Sequence, residues 1–179
     1  MFHILLRKDK STRIFYTFVT KKDMNIIIIG ATSGIGYGLL KKYAVPGNTI
    51  GILGRRRTIL KELEESYPSK VLTCAADILR QEEMSKAVRY FQSQMQTIDI
   101  VILCSGTGEL NSSLDFNIEY PTLLTNVVGW THVIDAFYNI LTHQGFGHLV
   151  AITSIGGLRG EPQAPAYSAS KSYQINYME

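Results

Sequence analysis

With 179 residues, 45% hydrophobic and 18% charged, the chain has the makeup of a single globular domain with enough material for a real core. The net charge of +3 is concentrated in Met1–Asp23, where six Lys/Arg face two Asp, leaving twelve against thirteen beyond; so neutral a body excludes nucleic-acid binding as the main activity. No apolar stretch approaches membrane-spanning length, and the four histidines pair with no Cys or carboxylate at metal-ligand spacing, so neither a membrane partner nor a bound metal is expected.

Residues 1–23 form an N-terminal extension with three open readings: an added edge strand, a loose arm, or sequence upstream of a biological start at Met24. Residues 24–179 read as one nucleotide-binding domain. Its opening strand contains four consecutive isoleucines, Ile26 to Ile29, which cannot alternate between core and water. That pattern predicts a strand buried on both faces, as the inner strand of a parallel sheet is. The strand breaks into Gly30-Ala31-Thr32-Ser33-Gly34-Ile35-Gly36 and then a helical pattern. Gly30 permits the tight turn, Gly34 lets the backbone approach a pyrophosphate, and Gly36 lets the helix pack against the strand with its N-terminus toward the anion.

Leu39, Leu40, Tyr43 and Ala44 keep helical spacing until Pro46-Gly47-Asn48. A second strand over Thr49–Leu53 ends in Gly54-Arg55-Arg56-Arg57, a charged helix follows from Ile59 to Tyr67, and a third strand spans Val71–Ala76. Asp77 and Ile78 lead into a helix from Gln81 to about Gln96. The fourth strand, Ile98–Cys104, ends in Ser105-Gly106-Thr107-Gly108, and a long helix is predicted from about Tyr120 to Thr142, with Pro121 tolerated in its first turn. The fifth strand runs through His148–Thr153. Cys74 and Cys104 lie in apolar strand-like runs and read as reduced, buried thiols of a cytoplasmic protein. The alternation predicts an α/β, Rossmann-type, doubly wound parallel sheet with strand order 3-2-1-4-5 and a ligand crevice at the carboxyl ends of strands 1 and 4.

Just past the fifth strand comes Ser154, and thirteen residues later Tyr167-Ser168-Ala169-Ser170-Lys171 opens a helical stretch. Tyr167 and Lys171 are i and i+4 and share one helix face. A cation beside a phenol favours the phenolate and moves an otherwise poor acid-base group toward the operating range. At the end of the second strand, where an acidic residue would accept a ribose 2′-hydroxyl, the chain carries Arg55 and Arg56. Guanidinium groups there favour a 2′-phosphate, and so NADP(H) over NAD(H).

The glycine turn, the serine after the fifth strand and the Tyr-x-x-x-Lys pair together resemble the short-chain dehydrogenase/reductase family, over Asn25 to Glu179. The resemblance implies an oxidoreductase moving hydride between a nicotinamide cofactor and a small carbonyl or alcohol. It implies that Ser154 polarises the substrate oxygen, that Tyr167 is the general acid or base, and that Lys171 holds the nicotinamide ribose and tunes Tyr167. Asn126, in Thr125-Asn126-Val127-Val128-Gly129, matches a helix asparagine that supports a water in the proton relay. Gly30, Thr32, Ser33, Gly34, Ile35, Gly36, Arg55, Arg56, Asp77, Ile78, Ser105 and Gly106 match cofactor-binding positions, with Asp77 bordering the adenine by hydrogen bond and Ile78 by packing.

Three departures qualify the match. Ile29 stands where many family members have Thr before the first glycine. Cys104-Ser105-Gly106-Thr107 stands where family members have Asn-Asn-Ala-Gly or close to it. The chain also stops at Glu179, within the helix carrying Tyr167 and Lys171, whereas family members continue with further strands and a substrate-covering helix. On that reading the protein is C-terminally truncated, the fifth strand presents an open apolar edge, and the dimer or tetramer of the family is weakened. The alternative function is a truncated, catalytically silent NADP-binding module; another is an assembly in which a partner covers that edge.

Overall fold

The computed structural model describes residues 2–7, 23–67 and 69–179, with Phe2–Arg7 described as backbone. Among the described residues, six strands form one sheet: β1 (Phe2–Arg7), β2 (Asn25–Ile29), β3 (Thr49–Gly54), β4 (Lys70–Ala75), β5 (Ile100–Leu103) and β6 (Phe146–Ala151). Their spatial order is β1-β6-β5-β2-β3-β4, and β4, β3, β2, β5 and β6 are mutually parallel. Counted from β2, this is the order 3-2-1-4-5. Helices α1 (Gly34–Tyr43), α2 (Arg57–Glu65), α3 (Gln81–Gln94), α4 (Phe116–Leu123), α5 (Trp130–Gln144) and α6 (Pro165–Met178) cover the two faces.

The isoleucine run explains why β2 is central. Ile27 and Ile29 enter the core shared with α3, α5 and α6, around Phe91, Trp130 and Phe137. Ile26 and Ile28 enter the opposite core, with Leu40 of α1 and Leu60 and Leu63 of α2. All four are fully buried, each worth roughly 1.5–3 kcal/mol of transfer free energy.

The expectation of an open edge on the fifth strand is overturned: β1 lies antiparallel along β6, with Phe2 opposite Ala151 and Arg7 opposite Phe146. The backbone groups of that edge therefore have a partner within the chain. Residues 8–22 lie outside the described residues.

The long helix also differs from its predicted form. It begins at Phe116, where Asp115 caps it by accepting a hydrogen bond from the Asn117 N–H at 2.9 Å. Pro121 is therefore the sixth helical residue and not part of the first turn, and its missing N–H leaves one rung of the ladder unmade. Directly after α4, Leu124–Gly129 widens into a π turn before α5 resumes at Trp130. Gly145, in the left-handed region at φ 81°, closes α5 and turns the chain into β6.

Candidate functional site

The carboxyl ends of the parallel strands deliver the pieces of the site. After β2, Gly30 takes φ 87° and donates its N–H to the Leu53 carbonyl at 2.8 Å. A Cβ at Gly30 would come within 2.8 Å of the Ser105 backbone nitrogen, so the turns after β2 and β5 touch there. A Cβ at Gly36 would collide with the Gly30 carbonyl, which is what seats α1 against β2. Gly34, at φ 54°, faces open space. Ser33 precedes α1 in extended conformation and its side chain caps none of the helix N–H groups. The exposed start of α1, with Ser33, Gly34 and Ile35 at the surface, thus keeps amide donors directed outward, as an anion site requires.

The two arginines after β3 part company. Arg56 folds onto the glycine turn, its Nη2 donating to Thr32 Oγ1 at 2.6 Å and Ser33 Oγ at 2.8 Å, with Nε 3.1 Å from Thr32 Oγ1. Arg55 reaches toward Asp77, Nη1 lying 4.0 Å from the carboxylate. The other oxygen of Asp77 accepts from the Leu79 N–H at 3.0 Å, bracing the bend after β4. Ile78 is 8% exposed and fills the core against Gly129, where a Cβ would be 2.7 Å from its Cγ1. Most of its side chain is therefore core material.

Asn126 sits in the π turn, fully buried. Its side chain accepts from the Thr107 N–H at 2.9 Å and donates to the Thr107 carbonyl at 2.7 Å and to Ser170 Oγ at 3.0 Å. One carboxamide thus ties the turn after β5 to α6. A Cβ at Gly106 would lie 3.4 Å from both Asn126 Oδ1 and Lys171 Nζ, and one at Gly108 would enter the Tyr167 ring. Small residues after β5 are what allow α6 to approach.

Tyr167 and Lys171 occupy successive turns of α6, with Lys171 Nζ 5.8 Å from the centre of the Tyr167 ring. Ser154 ends the strand-to-helix connection, and its Oγ accepts the Gly156 N–H at 3.1 Å, which leaves the hydroxyl proton free to be donated. A Cβ at Gly156 would lie 3.4 Å from Ser154 Oγ and 3.6 Å from Tyr167 Cε1, so the hydroxyl and the ring flank one small space. Lys171 is buried and donates to the Ile152 carbonyl at 3.1 Å and to Gln174 Oε1 at 2.9 Å, keeping its third N–H. Burial holds this ammonium below the ordinary lysine range, with Cys104 a smaller opposing influence. Burial pushes the Cys104 thiol up to about 11, partly countered by Lys171.

Gln174 is the residue that sequence reading missed. It lies three residues after Lys171 on the same helix, fully buried, and its Nε2 donates to the Asn126 carbonyl at 2.8 Å. The only sequence signal was a glutamine at i+3 from the lysine. A cleft of about 590 Å³ opens between Gly157–Pro162 and the α6 face bearing Pro165 and Ser168, but none of Ser154, Tyr167 and Lys171 lines it. Among the described residues, no group of three or more His, Cys, Asp or Glu side chains is placed to hold a metal ion. No helix among them is long and apolar enough to cross a membrane.

The family model for short chain dehydrogenase matches residues 24–179, which includes every element from β2 to α6. The chain belongs to the short-chain dehydrogenase family. An oxidoreductase of Mycobacterium tuberculosis is 32% identical over 165 residues, covering 87% of this chain and 64% of that protein. The chain spans about two thirds of the length of the curated relatives it matches. A crystal structure of xylitol dehydrogenase bound to NAD+ superposes with TM-score 0.82 at 23% identity, covering 87% of this chain and 62% of that one. A closed form of serine dehydrogenase complexed with NADP+ gives 0.79 at 20%, covering 86% and 63%. At these identities the likeness is one of fold. Short-chain dehydrogenases use nicotinamide cofactors, and the glycine turn with its open Gly34 and uncapped helix start fits such a group.

Proposed function

We propose that this protein moves hydride between NADP(H) and a small carbonyl or alcohol substrate. The observation that carries the reading is the convergence of Ser154, Tyr167 and Lys171 beside the glycine turn, with the small space between Ser154 Oγ and the Tyr167 ring as the position of the reacting oxygen. The bound nicotinamide supplies or accepts the hydride. Ser154 donates its free hydroxyl proton as a hydrogen bond to the substrate oxygen, drawing charge toward it. Tyr167 delivers a proton to that oxygen in reduction and removes it in oxidation. Lys171 sets a positive charge 5.8 Å from the centre of the Tyr167 ring and offers its remaining N–H to the cofactor ribose.

The NADP preference rests on Arg56. Thr32 and Ser33 hold its guanidinium over the glycine turn without neutralising it, and it has donors to spare for a phosphate. The known fold accommodates either cofactor, as the NAD+- and NADP+-bound neighbours illustrate, so the choice lies in such local charges. Titrating the full chain with NADPH and NADH tests this. Arg56→Ala should weaken NADPH about tenfold, equivalent to ~1.4 kcal/mol, the low end for a charge-assisted bond at an exposed position. NADH affinity should hold, and Arg55→Ala should cost less. Equal wild-type affinity for the two nucleotides would refute the preference. Tyr167→Phe should retain nucleotide binding and abolish carbonyl reduction; wild-type binding without turnover of any carbonyl or alcohol would favour the silent nucleotide-binding module instead.

A further inference from the structure

Three elements meet at the Lys171 ammonium: the end of β6 through the Ile152 carbonyl, α6 through Gln174, and, one step removed, the π turn through Asn126. The step is a single carboxamide. Gln174 Oε1 accepts from Lys171 Nζ at 2.9 Å while its Nε2 donates to the Asn126 carbonyl at 2.8 Å. The orientation is forced by chemistry, because a flipped amide would set Nε2 against an ammonium and Oε1 against a carbonyl. The π turn contributes by loosening the helical ladder around Asn126, whose side chain is meanwhile fixed to Thr107 and Ser170.

A glutamine here is costly unless it has this task. Gln174 is fully buried on α6, next to the buried Ile175 and close to Met178, where an aliphatic side chain would pack without desolvating an amide. Both ends of the amide are paired with groups that themselves need partners, one of them the buried cation. We propose that Gln174 is a positioning residue for the Tyr167–Lys171 pair, its carboxamide clamping the Lys171 ammonium to the π-turn backbone at Asn126, where the family resemblance would set a water. The inference rests on the oxidoreductase reading for its catalytic meaning and on the hydrogen bonds for its geometry. A covalently held amide keeps the ammonium in one place with its third N–H directed elsewhere, whereas a water can leave or reorient.

Among the described residues, the titratable groups facing Lys171 are Tyr167 on its own helix and Cys104 past the end of β5; Ile152, Asn126 and Gln174 are neutral. The ionisation of Lys171 is therefore set by burial and by these few contacts, and changing Gln174 should move it. The full chain with Gln174→Glu and with Gln174→Met, both close to the glutamine in size, provides the test. Nitrogen-15 NMR follows the Lys171 Nζ through a pH titration, and carbonyl reduction by NADPH is measured over the same range. The carboxylate variant should raise the Nζ midpoint by about one pH unit or more, tenfold in proton binding, and the methionine variant should lower it by a comparable amount. The pH profile of kcat should move in the same two directions while NADPH affinity changes less. Should the glutamate variant fail to fold, the methionine variant and its downward movement carry the test. Nζ midpoints within about 0.3 pH unit of wild type in folded variants, or profiles that stay put while the midpoints move, would overturn the proposal. Because the NMR titration needs neither nucleotide nor turnover, midpoints that move in a chain binding neither nucleotide uphold the clamp and overturn only the oxidoreductase reading.

Discussion

Replacing Asn126 tests whether the site is held together by one side chain. Its carboxamide satisfies the N–H and the carbonyl of Thr107, at 2.9 and 2.7 Å, and reaches Ser170 Oγ at 3.0 Å. In Asn126→Ala both Thr107 backbone groups lose their partner. Thr107 is only partly buried, so water reaches them in part, and each costs about 1 kcal/mol, the low end for a stranded polar group. Ser170 keeps its bond to the Tyr167 carbonyl at 2.7 Å and adds little. The small cavity left at a fully buried position adds about 1 kcal/mol more, for a total near 3 kcal/mol. For a domain of this size that corresponds to a fall in Tm of roughly 6–12 °C. Asn126→Asp sharpens the test, because it keeps the shape and the acceptor toward the Thr107 N–H but turns the donor into an oxygen facing the Thr107 carbonyl. It should cost at least as much as alanine at neutral pH. Urea unfolding with unchanged slope is the assay. A loss below about 0.5 kcal/mol for alanine, or an aspartate variant milder than alanine, would refute the brace.

Two further outcomes follow from particular groups. Burial raises Cys104 from its ordinary 9.0 to about 11, so the folded chain holds that proton more tightly than the unfolded one. Stability should fall as pH climbs from about 9 to 11, by about 1–2 kcal/mol once partial exposure is discounted. Lys171, lowered by burial, works in the opposite sense over the window below 10.5. Urea midpoints at pH 8 and 10.5 should therefore show a smaller alkaline loss in Cys104→Ala than in wild type, and equal losses would refute the assignment. At the surface of α4, Phe116 and Tyr120 are exposed with ring centres 5.4 Å apart, one turn from each other. We expect this pair to take part in self-association. Phe116→Asp with Tyr120→Lys should shift sedimentation toward monomer; a wild-type chain that is already monomeric would refute it.

What could be read from the sequence was what backbone geometry dictates locally. Four isoleucines in a row require two apolar faces, and Gly36 is required by its contact with Gly30, so β2, its turn and α1 were visible without tertiary information. The parallel order followed from the alternation of strands and helices. Elements fixed by distant partners were not visible in the same way. Pro121 suggested a helix start because proline fits a first turn, yet the Asp115 cap lies earlier and proline occupies the interior, three residues before a π turn that carries no residue code. Arg55 and Arg56 read alike in the sequence; in the fold Arg56 lies against the Thr32 and Ser33 hydroxyls and Arg55 turns toward Asp77. Antiparallel pairing of β1 with β6 links positions more than a hundred residues apart: an edge strand was one of three readings of residues 1–23, and nothing in the sequence joined it to the edge expected to be open because the chain stops at Glu179.

Gln174 makes the same point at the site itself. On a helix of mixed polarity a glutamine looks like surface, and nothing within α6 says that it faces a carbonyl 48 residues earlier. Its burial becomes intelligible only from the π turn, and the π turn from the need to bring Asn126 to both Thr107 and α6. The placement of the motif residues thus depends on amides whose partners are set by the fold. Substitutions at Asn126 and Gln174 should separate these contributions: the first through stability, the second through the ionisation of Lys171 in a chain that remains folded.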